Sequence, residues 1–270
     1  MHKTKEYDYL LTWVESLRAN GRLSFSLEEA RSAFDVSQEA LKLALMRLSK
    51  EGVIKSLVRG FYLYLPPEYR KGGMLPASLF IDDLMQFLQH RYYLGLLSAA
   101  SIHGASHQAP QQVFVVTELP TLRPVKNEKL FIRFVHTRDF PEMGMEQKKT
   151  QTGYLQVSSP ELTALDLVKF EKQVGGLQRT TEVLEELQET IDPKKLQEIA
   201  RQYPSTATLQ RLGYIFECIL ENEEVASTID LALESRLRHY LLLSTVEGDE
   251  TTAINSKWKI KVNTELTAEF

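Results

Sequence analysis

The stretch from Ser24 to Leu65, SFSLEEARSAFDVSQEALKLALMRLSKEGVIKSLVRGFYLYL, decides the fold of the N-terminal part of the chain. Apolar residues first recur at helical intervals over two short segments, and two runs rich in β-branched and aromatic residues follow. The resulting order is helix, sharp turn, helix and two-stranded hairpin. This order is typical of a winged helix-turn-helix, a module that places its second helix in a DNA groove.

Helix boundaries in this stretch follow from its capping residues. Ser26 is a good N-cap for the first helix, and Ser37 caps the second helix after a turn at Asp35-Val36. Gly52 stops the second helix in the C′ position. One face of that helix is predicted to be buried, because its apolar residues recur at i, i+3, i+4 and i+7. These residues are Leu41, Ala44, Leu45 and Leu48.

The outward face of the second helix predicts contacts to DNA. Its N-terminal turn faces base edges in such modules, so Gln38, Lys42 and Glu39 are candidates for sequence readout. Basic residues further along are expected to meet phosphates, and an arginine at the hairpin tip is suited to a minor groove. The predicted DNA-binding residues are Ser37, Gln38, Lys42, Arg47, Lys50 and Arg59.

Two questions about this helix stay open from the sequence. Leu43 and Met46 are apolar on the outward face, where they either touch thymine methyl groups or are covered by the rest of the chain. A winged helix can also serve protein contact with its charges solvated, because a fold does not fix a function.

Composition and length indicate a soluble globular protein. The chain has 270 residues, enough for two domains. No run of about 20 apolar residues occurs, so we expect no membrane span, and the N-terminal MHKTKEYDY lacks the apolar core of a signal peptide. The single cysteine, Cys218, excludes an intramolecular disulfide framework and makes the cytoplasm the expected compartment. It lies in an apolar run and is expected to fill the core.

Charge is distributed unevenly along the chain, whose formal net charge is −4. Residues 1–71 carry twelve Lys and Arg against nine Asp and Glu, whereas the remainder carries twenty against twenty-seven. Only the N-terminal part therefore has the sign of a DNA-binding face. An acidic whole does not exclude DNA binding, because local patches set the contacts, but it argues against unselective coating of nucleic acid.

A linker is predicted over residues 66–76, because Pro66-Pro67 and Gly72-Gly73 fit neither a helix nor a central strand. It separates a winged helix-turn-helix over residues 1–65 from a C-terminal domain over residues 77–270. The fold class is mixed α/β or α+β, with a larger C-terminal domain whose C-terminal half is helical. Predicted helices include residues 5–19, 77–90, 160–170 and 229–240; predicted strands are 112–117, 130–135, 153–158 and 258–262, with 141–149 as a loop.

Short segments spread in order over nearly the whole chain carry a family resemblance. They are Arg59-Gly60-Phe61-Tyr62, YLGLLSAASIHG over residues 93–104, Gln111-Gln112-Val113, VSSPELTALDL over residues 157–167, Gln210-Arg211-Leu212-Gly213-Tyr214 and Trp258 to Asn263. Together they resemble the AbiEi-type antitoxins, the antitoxin halves of type IV toxin–antitoxin systems in abortive infection, a form of phage defence. One departure is Thr163, where many relatives carry lysine.

The resemblance implies a transcriptional regulator that represses its own operon and neutralises a nucleotidyltransferase-like toxin. Relatives bind inverted repeats at the promoter with more than one copy, which implies a monomer when free and a dimer on DNA. The C-terminal domain is the part linked to neutralising the toxin. Whether the toxin is bound directly, or even chemically modified, stays open within the family.

Sequence features that would indicate an enzyme are weak, so no catalytic residue, metal site or cofactor is predicted. No phosphate-binding glycine motif and no recognisable nucleophile motif occurs. His103 and His107 are four residues apart, but Gly104 interrupts any helix between them and no third ligand lies nearby.

Two further features are candidates for a role in the C-terminal domain. Asp166 sits on an otherwise apolar helix face, where it either serves an antitoxin site, pairs with a cation such as Arg211, or makes a structural bond between helices. Residues 123–149 hold seven Lys and Arg against four Asp and Glu. This basic patch could meet DNA phosphates, an acidic toxin surface or only solvent. Its residues are Arg123, Lys126, Lys129 and Arg133.

Two functional hypotheses of different classes follow. The first is a DNA-binding antitoxin and autorepressor. The second is a protein-level regulator that binds or modifies the toxin or another partner directly, with the winged helix as a protein interface. A ligand-sensing regulator is a third and weaker hypothesis.

Overall fold

The structure, a computed structural model, describes residues 8–105, 112–248 and 250–268. They form two compact units: unit 1 comprises residues 8–92, 120–134 and 147–156, and unit 2 comprises residues 93–105, 112–119, 135–146, 157–248 and 250–268. The division predicted from sequence, at residues 66–76, stays a prediction that limited proteolysis can test.

The N-terminal part of unit 1 has the order of elements that the sequence predicts. It contains α1 (Asp8–Ala19), β1 (Ser24–Ser26), α2 (Leu27–Ala33), α3 (Gln38–Lys50), β2 (Ile54–Val58) and β3 (Phe61–Tyr64). The three strands form an antiparallel sheet in the order β1-β3-β2. Helix, strand, two helices and a hairpin in this pairing agree with a winged helix-turn-helix.

Local interactions explain why these helices begin where they do. The Ser26 side chain accepts from the Glu29 backbone N–H, and the Glu29 side chain accepts from the Ser26 N–H, which is a complete capping box. The Ser37 side chain accepts from the Ala40 N–H at 3.2 Å and starts α3. All four residues of the predicted stripe, Leu41, Ala44, Leu45 and Leu48, are buried.

The remaining elements give a mixed α and β fold with a helical C-terminal half, as predicted. Helices are α4 (Pro67–Arg70), α5 (Ile81–Leu88), α6 (Leu96–Ile102), α7 (Pro160–Lys169), α8 (Glu171–Val174), α9 (Leu177–Leu187), α10 (Pro193–Gln202), α11 (Thr206–Cys218) and α12 (Glu223–Leu233). Strands are β4 (Tyr92–Leu94), β5 (Val113–Thr117), β6 (Val125–Asn127), β7 (Leu130–His136), β8 (Met145–Lys149), β9 (Tyr154–Ser158), β10 (Leu241–Leu242), β11 (Ala253–Asn255) and β12 (Ile260–Val262). Among the described residues, none of the helices has the length and apolarity that crossing a bilayer requires.

Strand pairing produces two further sheets. A six-stranded sheet has the order β6-β7-β5-β4-β9-β8. A small sheet of unit 2 has the order β10-β12-β11.

The core of unit 2 is built around α7. Every residue from Pro160 to Val168 is buried, and α6, α9, α10 and α11 pack around this helix. Ser159 caps α7, and Pro160 occupies its first turn, where a missing N–H costs nothing.

Two glycines of the family-like segments are required by close packing. A Cβ at Gly213 in α11 would lie 2.1 Å from the indole of Trp258, which is fully buried. A Cβ at Gly95, just before α6, would lie 2.7 Å from Val116 Cγ2. Both distances are far below a carbon–carbon contact, so these positions need glycine.

Three predictions from sequence are wrong in detail. Met145–Lys149 is a strand rather than a loop; it is polar because it lies at the edge of the six-stranded sheet. The last helix is Glu223–Leu233 rather than residues 229–240, because Asn222 caps it and Leu237, 78% exposed, finds no core. Cys218 is exposed at the end of α11 and does not fill the core.

Candidate functional site

The exposed face of α3 is the first candidate site. Gln38, Lys42, Arg47 and Lys50 are all exposed on this helix, whose buried stripe fixes which side faces outward. Met46 on the same helix remains 59% exposed, and Leu43 is 47% exposed. An exposed helix face with cationic, amide and apolar side chains can contact base edges and thymine methyl groups.

A groove of about 640 Å³ runs along α3. Its lining comes from α2, α3 and the β2–β3 hairpin. The lining residues are Leu27, Arg31, Gln38, Glu39, Leu41, Lys42, Leu45, Met46, Ser49, Ser56 and Tyr62. The structure therefore brings the predicted Gln38 and Lys42 together, but Arg47, Lys50 and Arg59 do not line this groove.

Four polar residues of the groove were missed by sequence reasoning. They are Arg31, Ser49, Ser56 and Tyr62. Their one cation and three hydroxyl groups can donate hydrogen bonds to DNA phosphates. Ser49 could have been found, since it follows Lys42 by two helical turns and lies on the same face. Strand pairing across from α3 brings in Ser56 and Tyr62, which are directly opposite each other in the β2–β3 register.

The tip of the hairpin is anchored within unit 1. Arg59 is exposed in a tight turn beside Gly60, which has a φ of +85°. The ring of Phe61 lies 5.2 Å from that of Phe87 in α5. This packing anchors the base of the tip, while Arg59 itself remains exposed.

The predicted basic patch lies partly on one face of the β6–β7 hairpin, also in unit 1. Lys126 pairs directly with Phe131, and Arg133 follows two residues later on the same face. The Lys126 Nζ lies 5.2 Å and the Arg133 Cζ 5.8 Å from the centre of the Phe131 ring. Arg123 and Lys129 are exposed before β6 and in its turn.

A second candidate site is a cavity of about 170 Å³ in unit 2, here named the Asp166 cavity. Asp166 of α7 forms part of its lining and is 2% exposed. The lining residues are Tyr93, Asp139, Phe140, Pro141, Glu142, Met143, Leu162, Asp166, Lys169, Ile199, Gln202, Tyr203 and Pro204.

The buried Asp166 carboxylate accepts hydrogen bonds from two tyrosine hydroxyl groups. The Tyr93 hydroxyl donates to Oδ2 at 2.6 Å and the Tyr203 hydroxyl to Oδ1 at 3.1 Å. Burial raises the pKa of Asp166 from 3.8 to about 6, although Tyr93, Lys169 and Tyr203 each oppose this shift. The same environment raises the pKa of both tyrosines well above 10, chiefly through desolvation and then through the Asp166 charge.

The cation that acts on Asp166 is not Arg211, which was one of the partners that the sequence suggested. The Arg211 Nε donates to the Leu242 carbonyl at 3.0 Å, and the cation that acts on Asp166 is Lys169. The Lys169 Nζ donates to Thr137 Oγ1 at 3.0 Å and lies 5.4 Å from the centre of the Tyr203 ring. Of the interpretations made from sequence, the described contacts of Asp166 favour a structural hydrogen bond.

The histidine pair of the sequence is described only in part. The His103 Nε2 donates to the Ser158 carbonyl at 2.7 Å, which is a structural bond, and His107 lies outside the described residues. Within the described part of the chain, no group of three or more His, Cys, Asp or Glu side chains is arranged to hold a metal ion.

The described residues thus present two candidate sites, the exposed face of α3 in unit 1 and the Asp166 cavity in unit 2. The model of the family described as AbiEi antitoxin C-terminal domain matches residues 93–218. This match confirms the resemblance to AbiEi-type antitoxins and with it an antitoxin role in an abortive-infection, toxin–antitoxin system.

Solved structures support the fold. The chain is similar to a crystal structure of the RV2827C protein from Mycobacterium tuberculosis, with a TM-score of 0.62 and 13% identity over 92% of this chain and 89% of that chain. At this identity the likeness concerns the fold alone. No curated protein sequence matches the chain.

Proposed function

We propose that this antitoxin binds the promoter DNA of its own operon through the winged helix and represses that operon. The observation that carries the proposal is the exposed face of α3, where Gln38 and Lys42 line a groove shared with the β2–β3 hairpin. In a winged helix this arrangement fits DNA, because α3 can enter a major groove while the hairpin reaches the neighbouring backbone.

Individual roles follow from position on the helix. Gln38 and Lys42, near the N-terminus capped by Ser37, are suited to base edges. Arg47 and Lys50 are suited to phosphates, and Arg59 at the tip is suited to a minor groove. Two copies on an inverted repeat would place half-sites about 10.5 base pairs, or a multiple of that, apart.

For the C-terminal domain, we propose that it counteracts a nucleotidyltransferase-like toxin in the cytoplasm without catalysis of its own. The family match over residues 93–218 supports the antitoxin part of this proposal. Direct action on the toxin protein is the second candidate, and it is favoured by the Asp166 cavity, whose lining residues all lie within the matched range.

A cell-based experiment separates the two activities. Cells carry a reporter behind the chain's own promoter and an inducible copy of the toxin from the same operon. Lys42→Ala is expected to lose repression, because a base-edge contact is worth about 1–3 kcal/mol, while still protecting cells from the toxin. Lys194→Ala, an exposed cation of α10 in unit 2, is the matched control and should keep both activities.

Repression that survives in Lys42→Ala and in Arg59→Ala would contradict the DNA-binding proposal. If the full-length wild-type chain does not protect cells from the toxin, the antitoxin proposal is contradicted instead. The mass of the toxin, measured intact after co-expression, tests the second candidate: toxin that is neither modified nor co-purified with the chain excludes it.

A further inference from the structure

The Asp166 cavity is smaller than a site for a nucleotide or a drug-sized molecule. Its volume of about 170 Å³ compares with roughly 300–1,000 Å³ for typical ligand pockets. It nevertheless has room for much more than one water molecule, whose share of liquid volume is about 30 Å³. A single side chain of a protein partner fits this size range.

The walls of the cavity are suited to an amphipathic group. Met143, Leu162 and Ile199 offer apolar surface on which methylene groups can pack. The Phe140 ring lies 5.5 Å from that of Tyr93 and is inclined to it by 61°. Aromatic rings of this kind attract cations over their faces.

Charge in the cavity is predominantly negative. Among its described lining residues, Asp139, Glu142 and Asp166 are acidic and Lys169 is basic. Asp139 and Glu142 are exposed, whereas Asp166 is buried. A recess with low-dielectric walls and an excess of carboxylates favours a cation.

From these observations we propose that the Asp166 cavity binds an arginine side chain presented by a protein partner. Arginine fits better than lysine, because its planar guanidinium stacks on aromatic rings and can bond two carboxylates at once. Asp139 and Glu142 bond the guanidinium, and the apolar walls hold its methylene stem. The inference concerns unit 2 and does not depend on DNA binding.

Met143 provides a local probe of occupancy. The full chain is labelled with ¹³C at the methionine methyl groups and titrated with Nα-acetyl-arginine methylamide. We expect the Met143 methyl resonance to shift and to saturate, while that of Met46, on α3, does not move. The citrulline analogue has nearly the same shape without the charge, and we expect it to bind at least about tenfold more weakly.

Variants identify the contacts. Asp139→Asn combined with Glu142→Gln is expected to weaken arginine binding about tenfold or more, and Glu234→Gln, an exposed acid elsewhere in unit 2, should leave it unchanged. Equal responses to the arginine and citrulline probes, or no response of Met143, would overturn the proposal. A stronger response to Nα-acetyl-lysine methylamide would overturn the choice of arginine. Promoter binding by the same double variant tells failure of this inference apart from failure of the DNA proposal.

Discussion

Replacing Asp166 by asparagine should change how the stability of unit 2 depends on pH. The carboxylate is buried and accepts hydrogen bonds from Tyr93 and Tyr203. Asparagine has nearly the same shape and retains one oxygen acceptor, while its amide can donate to the other phenol. The substitution therefore removes the ionisation and leaves the packing largely intact.

The size of the effect follows from the raised pKa. Burial shifts the pKa of Asp166 from 3.8 to about 6 in the folded chain, so the folded state holds its proton more tightly than the unfolded state. The stability gained from this proton is present in full below the unfolded pKa and is lost as the pH rises through the folded pKa. At about 1.4 kcal/mol per pKa unit, the complete loss is about 3 kcal/mol, of which about 2 kcal/mol falls between about pH 4 and about pH 7.5.

Urea unfolding at these two pH values measures the effect. Trp258 is buried in unit 2, so its fluorescence in a Trp13→Phe background reports on that unit. We expect the free energy of unfolding of Asp166→Asn, relative to the parent chain, to rise by about 2 kcal/mol from the lower to the higher pH. A relative stability that is the same at both pH values would refute the reasoning.

Other predictions address packing, the buried carboxylate and the basic hairpin. Gly213→Ala should destabilise unit 2 by about 3 kcal/mol in urea unfolding, because its Cβ would overlap a buried indole; Gly248→Ala, which has open space around it, should not, and equal midpoints would contradict this account. Tyr203→Phe removes a donor to a buried acceptor and should cost about 1–3 kcal/mol in the same assay; an unchanged midpoint would count against the bond. Alanine at both Lys126 and Arg133 should lower the salt dependence of promoter binding by about two phosphate contacts, and an unchanged slope would place the hairpin outside the DNA interface.

Local signals explain why the recognition helix could be predicted from sequence. The capping serines, the apolar stripe and the glycine stop all act within a few residues, so α2 and α3 begin within a residue of their predicted starts. The tight hairpin after α3 is local too, and its strands Ile54–Val58 and Phe61–Tyr64 follow α3 in the predicted order.

Contacts between distant segments could not be predicted in the same way. Tyr93 and Tyr203 form hydrogen bonds with Asp166, from which they are 73 and 37 residues away in the sequence. Contacts at such separations produce no periodic pattern in the sequence. The requirement for glycine at position 213 is equally invisible, because it comes from an indole that the final strand region brings against α11.

Small rotations around a helix also limit sequence reasoning. Cys218 follows a buried run in α11 but points to solvent, because one residue advances the helix by about 100°. On α3 the same rotation decides that Lys42 and Ser49 line the groove while Arg47 and Lys50 do not.

Equilibrium binding of the purified full chain to its own upstream DNA tests the central proposal most directly. Fluorescence anisotropy at physiological salt compares a duplex of that region with a scrambled duplex of equal length and composition. We expect at least about a 10³-fold preference for the upstream duplex, which is lost in Lys42→Ala and kept in Lys194→Ala. Equal affinity for the two duplexes would contradict the assignment of the winged helix as a reader of its own promoter.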